Sequence, residues 1–141
     1  MADPVKATAI REAIAARLRT ISIANDSRTD IGAQVFTEPT RWTPEDGERI
    51  TVYPGHKMRP DDARSHSERE YRIFIEALLP VSIDTPAEQI EAVEADIEDA
   101  LKGFVQMPMA LPALVEESVI LDRPEGIDAM ALQMTLVTRY R

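Results

Sequence analysis

Two histidines and several acids fall close together in the sequence and could in principle bind a metal ion. The candidates share nitrogen or oxygen ligand atoms and are His56, Asp61, Asp62, His66, Glu68 and Glu70. A metal site needs three or four such side chains to converge on one ion. The proline, glycine and mixed charge of residues 54–67 do not enforce that convergence. We therefore expect these side chains to be solvated and predict no metal site.

Other catalytic arrangements receive no better support from the sequence. Ser65, His66 and Ser67 place hydroxyls beside an imidazole, but no acid is positioned to orient it. The chain has no cysteine, no phosphate-cradling glycine loop and no dinucleotide-binding fingerprint. Three carboxylate pairs could divide acid and base roles only if burial separated their pKa values, and they are Asp61–Asp62, Glu98–Asp99 and Glu116–Glu117. We predict no enzyme activity and no cofactor.

Positive charge is concentrated around residues 54–68, which we predict to form a long exposed loop or hairpin. Met58 is almost the only large apolar residue in this stretch, so it cannot contribute much to a core. The loop region carries five cations against four acids, which fits either a solvated mixed-charge loop or a partner-binding tip. As a candidate partner-binding group we take its basic side chains, which are Lys57, Arg59, Arg64 and Arg69.

The net charge of −9 lies entirely in the second half of the chain. Residues 1–72 hold 12 Lys and Arg against 12 Asp and Glu, whereas residues 73–141 hold 4 against 13. Such a half repels DNA and attracts basic protein surfaces, so sequence-specific DNA binding is not expected. No apolar run approaches the ~20 residues that span a bilayer, and the N-terminus lacks the apolar block of a secretory signal. We expect the protein to remain in the cytoplasm.

An amphipathic helix is predicted to begin at Asp3-Pro4, as an N-cap followed by proline at the first helical position. Its core face is a stripe at helical spacing, formed by Ile10, Ile14, Leu18 and Ile21. A second stripe of mostly small residues comprises Val5, Ala9, Ala13 and Ala16. This second stripe reflects either good helix propensity or a face for another helix or subunit.

A second helix is predicted to start at Thr85-Pro86-Ala87-Glu88, which has the form of a capping box, and to end near Gly103. Its buried stripe consists of Ile90, Val93, Ile97, Leu101 and Phe104. Acids lie mostly on the opposite face, and an acidic face is either simply solvated or a binding surface. The candidate partner-binding residues on that face are Glu88, Glu91, Glu98 and Asp99.

Strands are predicted at 34–37, 49–53, 70–79, 114–121 and 129–140, the last two joined by a turn at Asp122-Arg123-Pro124-Glu125-Gly126. The alternation over 70–79 is the clearest, with Tyr71, Ile73, Ile75, Ala77 and Leu79 on one face. Phe74 and Leu78 make its other face partly apolar, which suggests partial cover by another layer or subunit. The order predicts an α+β fold, with two helices on a mainly antiparallel sheet, in a single domain spanning residues 1–141.

The segment R-T-D-I-G-A-Q-V-F at residues 28–36 connects the first helix to the first strand. A helix, a short polar loop and this strand entry resemble the tail terminator, or tail completion, proteins of long-tailed bacteriophages and prophages. Arg28 and Asp30 are expected to fix the loop by pairing or capping. Gly32 is expected to allow a turn, through a positive backbone angle or close packing. The segment is thus expected to be architectural.

The resemblance implies a non-catalytic virion protein that forms a ring, probably a hexamer, at the end of the tail tube. Such a ring ends polymerisation of the tube protein and presents a surface to the head connector or completion protein. The implied partners are therefore other copies of the chain, the tube protein and the connector, with the tail of the virion as the final location. The alternative is a small cytoplasmic ligand-binding or regulatory α+β module, which requires a concave apolar pocket.

Overall fold

A computed structural model describes residues 2, 4–62, 68–80, 85–121 and 129–141 of the chain. Two α-helices, five β-strands and three short 3₁₀ helices make up the regular structure of these residues, the 3₁₀ helices at Ile23–Asn25, Ile31–Ala33 and Pro44–Asp46. In chain order the α-helices and strands are α1 Lys6–Leu18, β1 Val35–Phe36, β2 Arg49–Met58, β3 Arg69–Pro80, α2 Pro86–Leu101, β4 Leu114–Leu121 and β5 Ala129–Tyr140. The Asp122–Gly126 turn predicted between β4 and β5 lies outside the described residues. None of the described helices is long and apolar enough to cross a membrane.

The five strands form one sheet in the order β1-β2-β3-β5-β4. β1 runs parallel to β2 over two residue pairs, and all other neighbouring strands are antiparallel. The predicted α+β fold with a mainly antiparallel sheet is therefore confirmed. β3 lies at the centre of the sheet, and the alternating residues predicted for its core face are all buried.

α1 packs its apolar stripe against the sheet as predicted, and Ile10, Ile14, Leu18 and Ile21 are buried. The predicted start of this helix was wrong by a few residues. α1 begins at Lys6 with Val5 as its N-cap, and no side chain caps it; Asp3 lies outside the described residues. The small-residue stripe does not form one uniform face, because Ala13 is buried while Val5 and Ala16 are exposed.

α2 begins at Pro86, and its predicted stripe from Ile90 to Leu101 is buried, with Phe104 packed at the edge of the core. Gly103 adopts a left-handed conformation, φ 69°, just after the helix ends, as expected of a C-terminal glycine. The capping box was wrong in detail. Thr85 is the N-cap, with φ −130° and ψ 72°, but its side chain makes no capping hydrogen bond.

β2 is ten residues long and continues past Tyr53, where the strand was predicted to end, so residues 54–58 form one arm of a hairpin with β3. Of the loop or hairpin predicted for residues 54–68, the hairpin is confirmed over this part. The pairing with β3 shifts between Pro54 and Lys57, which is a β-bulge. Pro54 is accommodated there because β1 pairs only with Ile50 and Thr51, which leaves β2 an edge strand at this level. Gly55 packs so closely on the carbonyl oxygen of Arg72 that a Cβ atom would not fit.

Both helices pack on the same face of the sheet, and the core lies between these layers. On the other face, residues 36–42 pack over β2, where Arg49 and Thr51 are buried. The rest of that face, across β3, β5 and β4, has no covering helix among the described residues. Phe74 and Leu78 lie there half-buried, so the predicted second layer is absent from the described part of one chain.

Candidate functional site

The segment at residues 28–36 is held by a single buried carboxylate on α2. Asp96 accepts hydrogen bonds from the backbone N–H groups of Arg28, at 3.1 Å, and Thr29, at 2.8 Å. It also accepts a 2.7 Å bond from the Thr29 hydroxyl and a 3.0 Å bond from the Arg28 guanidinium. The Asp96 side chain is only 1% exposed, so four donors replace the water that this carboxylate loses on folding.

Arg28 bridges two acids that lie three residues apart on α2. Its Nη1 lies 3.0 Å from Asp96 Oδ1 and 2.8 Å from Asp99 Oδ2, and the latter carboxylate is 66% exposed. Hydrogen bonds to Asp99 and then Asp96 raise the pKa of the Arg28 guanidinium. Burial opposes ionisation of Asp96, but the bonds from Thr29 and Arg28 outweigh it and hold the pKa of Asp96 below its ordinary value. The carboxylate is therefore ionised at neutral pH.

The rest of the segment also acts structurally, as predicted. Asp30 Oδ1 accepts a 2.8 Å hydrogen bond from the backbone N–H of Ile23, which fixes the loop that leaves α1. Gly32 lies against the backbone at the end of α1, and a Cβ atom there would stand 2.5 Å from the carbonyl oxygen of Ile21. The close-packing explanation for Gly32 is confirmed, and its backbone angle is not in the positive region.

Asp96 was missed by the sequence analysis, which placed the acids of α2 on its outer face. A signal was present, because Asp96 stands beside Ile97 and three residues after Val93, on the apolar stripe. An acid on a buried stripe requires hydrogen-bonding partners. The partners are backbone groups some 67 residues away, which no helical pattern reveals.

The predicted basic group is spread over the end of the sheet rather than gathered on one loop. Lys57 is exposed on β2, with Nζ 5.4 Å from the centre of the Tyr71 ring, and Arg59 is exposed just beyond this strand. Arg69 is half-buried as the first residue of β3 and donates to the carbonyl of Glu68 at 3.0 Å. Arg64 lies outside the described residues, so the structure places three of the four cations.

The predicted acidic face of α2 is exposed at Glu88, Glu91, Glu98 and Asp99. Asp99 alone of these four is paired with a described cation, Arg28. Glu94, which the prediction did not include, lies half-buried among them. Its burial, and then the charges of Glu98 and Glu91, raise the pKa of the Glu94 carboxyl. The negative charges of Glu98 and Glu91 thus contribute to this shift, and a cationic partner placed against the face would oppose them.

The open face of the sheet carries an ion-pair network centred on Arg72. Its guanidinium contacts Glu70 at 2.8 Å and both carboxylate oxygens of Glu116 at 3.0 and 3.1 Å. The hydrogen bonds from Arg72 hold the pKa of Glu116 below its ordinary value. Glu116 is thus a charged partner of a cation across β3, β5 and β4, and it does not form an acid–base pair with Glu117.

Two observations bear on chemistry at these sites. No group of three or more His, Asp and Glu side chains in the described ranges could hold a metal ion; His66 lies outside those ranges.

The cleft between α1, the following loop and α2 holds about 310 Å³ and is lined mostly by polar residues, including Arg28, Asp96 and Asp99. These side chains are engaged with one another, so the cleft is an internal junction with little apolar lining.

Comparison with known proteins identifies a shared fold. No protein-family model matches the chain, and no curated protein matches it. Among solved structures, a chain of the virion of a native gene transfer agent particle superposes with a TM-score of 0.66 at 17% sequence identity. The match covers 98% of both chains. At this identity the comparison establishes a common fold over the whole length.

Proposed function

We propose that this chain is a structural protein of a phage-like virion and, more specifically, a tail terminator. One observation carries the proposal: the fold matches that of a gene transfer agent virion chain over 98% of both lengths. The terminator assignment adds the resemblance at residues 28–36. In this proposal the chain forms a ring, a hexamer by that resemblance, which ends the tail tube and joins it to the head.

The geometry of the described residues supports an assembly role over catalysis. The most elaborate polar cluster, around Asp96, consists of hydrogen bonds that join a loop to a helix. Arg72 and Glu116 are likewise paired across neighbouring strands. Each of these groups is satisfied within the chain, which suits a rigid building block. We accordingly propose that the protein has no enzymatic activity and needs no cofactor.

The surfaces proposed for partners are those that the fold leaves exposed. The acidic face of α2 and the cations Lys57 and Arg59 are available to the tube protein and the head connector.

The ligand-binding alternative needs an apolar pocket. The 310 Å³ cleft beside Asp96 is polar, whereas a cleft of about 380 Å³ between Lys6, Arg141 and residues 107–110 has a more apolar lining. We favour the virion role, with the tail as the final location and the host cytoplasm as the place of assembly.

Electron microscopy of particles made without this chain tests the proposal. A terminator is required to stop the tube and join the head, so its deletion should give tails of irregular, extended length and separate, unjoined heads. Supplying the wild-type chain from a plasmid should restore joined particles of uniform tail length. Normal particles in the absence of the chain would rule the terminator function out.

A further inference from the structure

Residues 37–42 follow β1 and pack over β2, and side chains hold this segment, the strap, in place. No backbone–backbone hydrogen bond of the described residues involves it. From α1, Arg11 donates to the carbonyl of Thr37, and Glu12 accepts a 2.8 Å hydrogen bond from the Thr37 hydroxyl. Residues 38–41 are all exposed. The strap therefore rests on polar side-chain contacts and lies outside the hydrophobic core.

Arg49 of β2 latches the middle of the strap. Its Nη1 donates to the Thr40 hydroxyl at 2.6 Å, and its Nη2 donates to the Thr40 carbonyl at 2.5 Å. A longer contact of 3.4 Å joins Nη1 to the carbonyl of Arg41. The ring centre of Phe36, just before the strap, lies 5.4 Å from the guanidinium carbon. The position of the strap over β2 thus depends largely on this one side chain.

The closed strap keeps a guanidinium cation out of water. Arg49 is only 5% exposed, and its Nε atom has no hydrogen-bond partner. The acceptors that it does contact are a hydroxyl and two backbone carbonyls, all of them neutral. A buried cation is costly unless hydrogen bonds and an opposite charge compensate it, and the contact with the Phe36 ring supplies only part of that. Opening of the strap returns the guanidinium to water, so this cost favours opening.

We propose that the strap opens and closes as a local unit while the sheet and both helices stay folded. Segments with few buried apolar contacts open at a lower free energy than the core does, and the strap is such a segment. Its opening brings Arg49 from a buried position to the surface of the sheet. The strap therefore controls whether this guanidinium is accessible to another molecule. This conformational device goes beyond the proposed function and does not rest on it.

Two reactions on the folded full chain report opening. Trypsin cleaves the bond after Arg41 when the strap leaves the sheet, and phenylglyoxal modifies the Arg49 guanidinium when this group is exposed. Mass spectrometry quantifies both the fragment of residues 1–41 and the modified Arg49. We expect both products from the wild type under conditions in which circular dichroism shows a folded protein.

Weakening the latch should speed up these reactions. Thr40→Ala removes one acceptor of a charged donor and should raise both rates about tenfold. Thr20→Ala, which removes a hydroxyl bonded to a backbone carbonyl elsewhere, is its control and should leave both rates unchanged. Arg49→Lys loses the forked contact with Thr40 and should raise cleavage after Arg41 about tenfold. Its matched control is Arg17→Lys, at an arginine that also donates to a backbone carbonyl and lies over a phenylalanine ring.

The dependence of both rates on urea separates local opening from global unfolding. Local opening exposes little surface, so both rates should stay nearly constant up to about 1 M urea, whereas reactions through the unfolded state accelerate steeply. Rates that follow global unfolding would overturn the proposal. Cleavage after Arg41 without modification of Arg49 would also overturn it, because the strap would then move while the latch stays closed. Unchanged rates in both Thr40→Ala and Arg49→Lys would rule out Arg49 as the latch and contradict the proposal.

Discussion

Asp96 and Thr29 are joined by two hydrogen bonds, of 2.8 Å from the Thr29 backbone N–H and 2.7 Å from its hydroxyl, across 67 positions of sequence. Both residues are buried. The pair ties the loop after α1 to the middle of α2, and thereby fixes both helices of the layer relative to each other. The segment at residues 28–36 is thus a structural junction, and substitutions in it are expected to change the free energy of unfolding.

Asp96→Ala should reduce the free energy of unfolding by about 2–4 kcal/mol. The substitution leaves the buried donors of Thr29 without an acceptor, and each such group costs about 1–3 kcal/mol. Urea unfolding followed by circular dichroism measures the change. Asp99→Ala is the control, because Asp99 is two-thirds exposed and, among the described residues, is paired with the Arg28 side chain alone; it should be close to wild type. Equal losses for the two variants would contradict the junction role.

The pH dependence of stability should report Asp96 directly. Its pKa is lowered in the folded state, so its contribution is fully present above the unfolded-state value of about 3.9. The contribution is lost as pH falls from there through the lower folded-state pKa. The stability difference between wild type and Asp96→Asn should therefore be constant between about pH 5 and 7 and shrink below about pH 4. A stability difference between wild type and Asp96→Asn that grows as the pH falls would contradict the lowered pKa of Asp96.

Gly32→Ala should be strongly destabilising, by about 2–4 kcal/mol, because the new Cβ would overlap backbone carbonyl oxygens at the end of α1. Backbone atoms cannot move aside as a flexible side chain can. Gly103→Ala is the matched control: its φ of 69° costs about 1 kcal/mol for a residue with a Cβ, but the space around it is open. Thermal unfolding of both variants separates the cost of close packing from the cost of backbone strain. A larger loss of stability for Gly103→Ala than for Gly32→Ala would contradict this account.

The sequence predicts the layers well because short-range periodicity determines them. The apolar stripes of α1 and α2 and the core face of β3 follow from spacing alone and were predicted correctly, whereas the buried Asp96 of α2 and the buried Ala13 of α1 were not. The length of β2 could not be predicted in this way. Pro54 and Gly55 indicate a turn in isolation, and only the short β1 and the bulge opposite β3 show why the strand continues past them.

The site was less predictable than the fold because its contacts are long-range. Asp96 reaches Thr29 through tertiary packing, and no local pattern links helix α2 to the loop after α1. Conversely, the acidic face of α2 and the cations Lys57 and Arg59 were predicted as exposed, and they are. Exposure follows from helical and strand periodicity, but the partner that such a surface binds does not.

Charge reversal on the acidic face of α2 tests whether this face binds a partner. Glu88→Lys with Glu91→Lys should lower incorporation of the chain into particles about tenfold or more, if this face binds a basic surface of the tube protein or connector. The free energy of unfolding should change by less than about 0.5 kcal/mol, because both side chains are exposed. Quantitative immunoblotting of purified particles against total cell protein gives the incorporated fraction. Glu45→Lys, at an exposed acid in the 3₁₀ helix before β2, makes half of this charge change outside α2. Equal loss with Glu45→Lys would mean that total charge, rather than this face, governs incorporation.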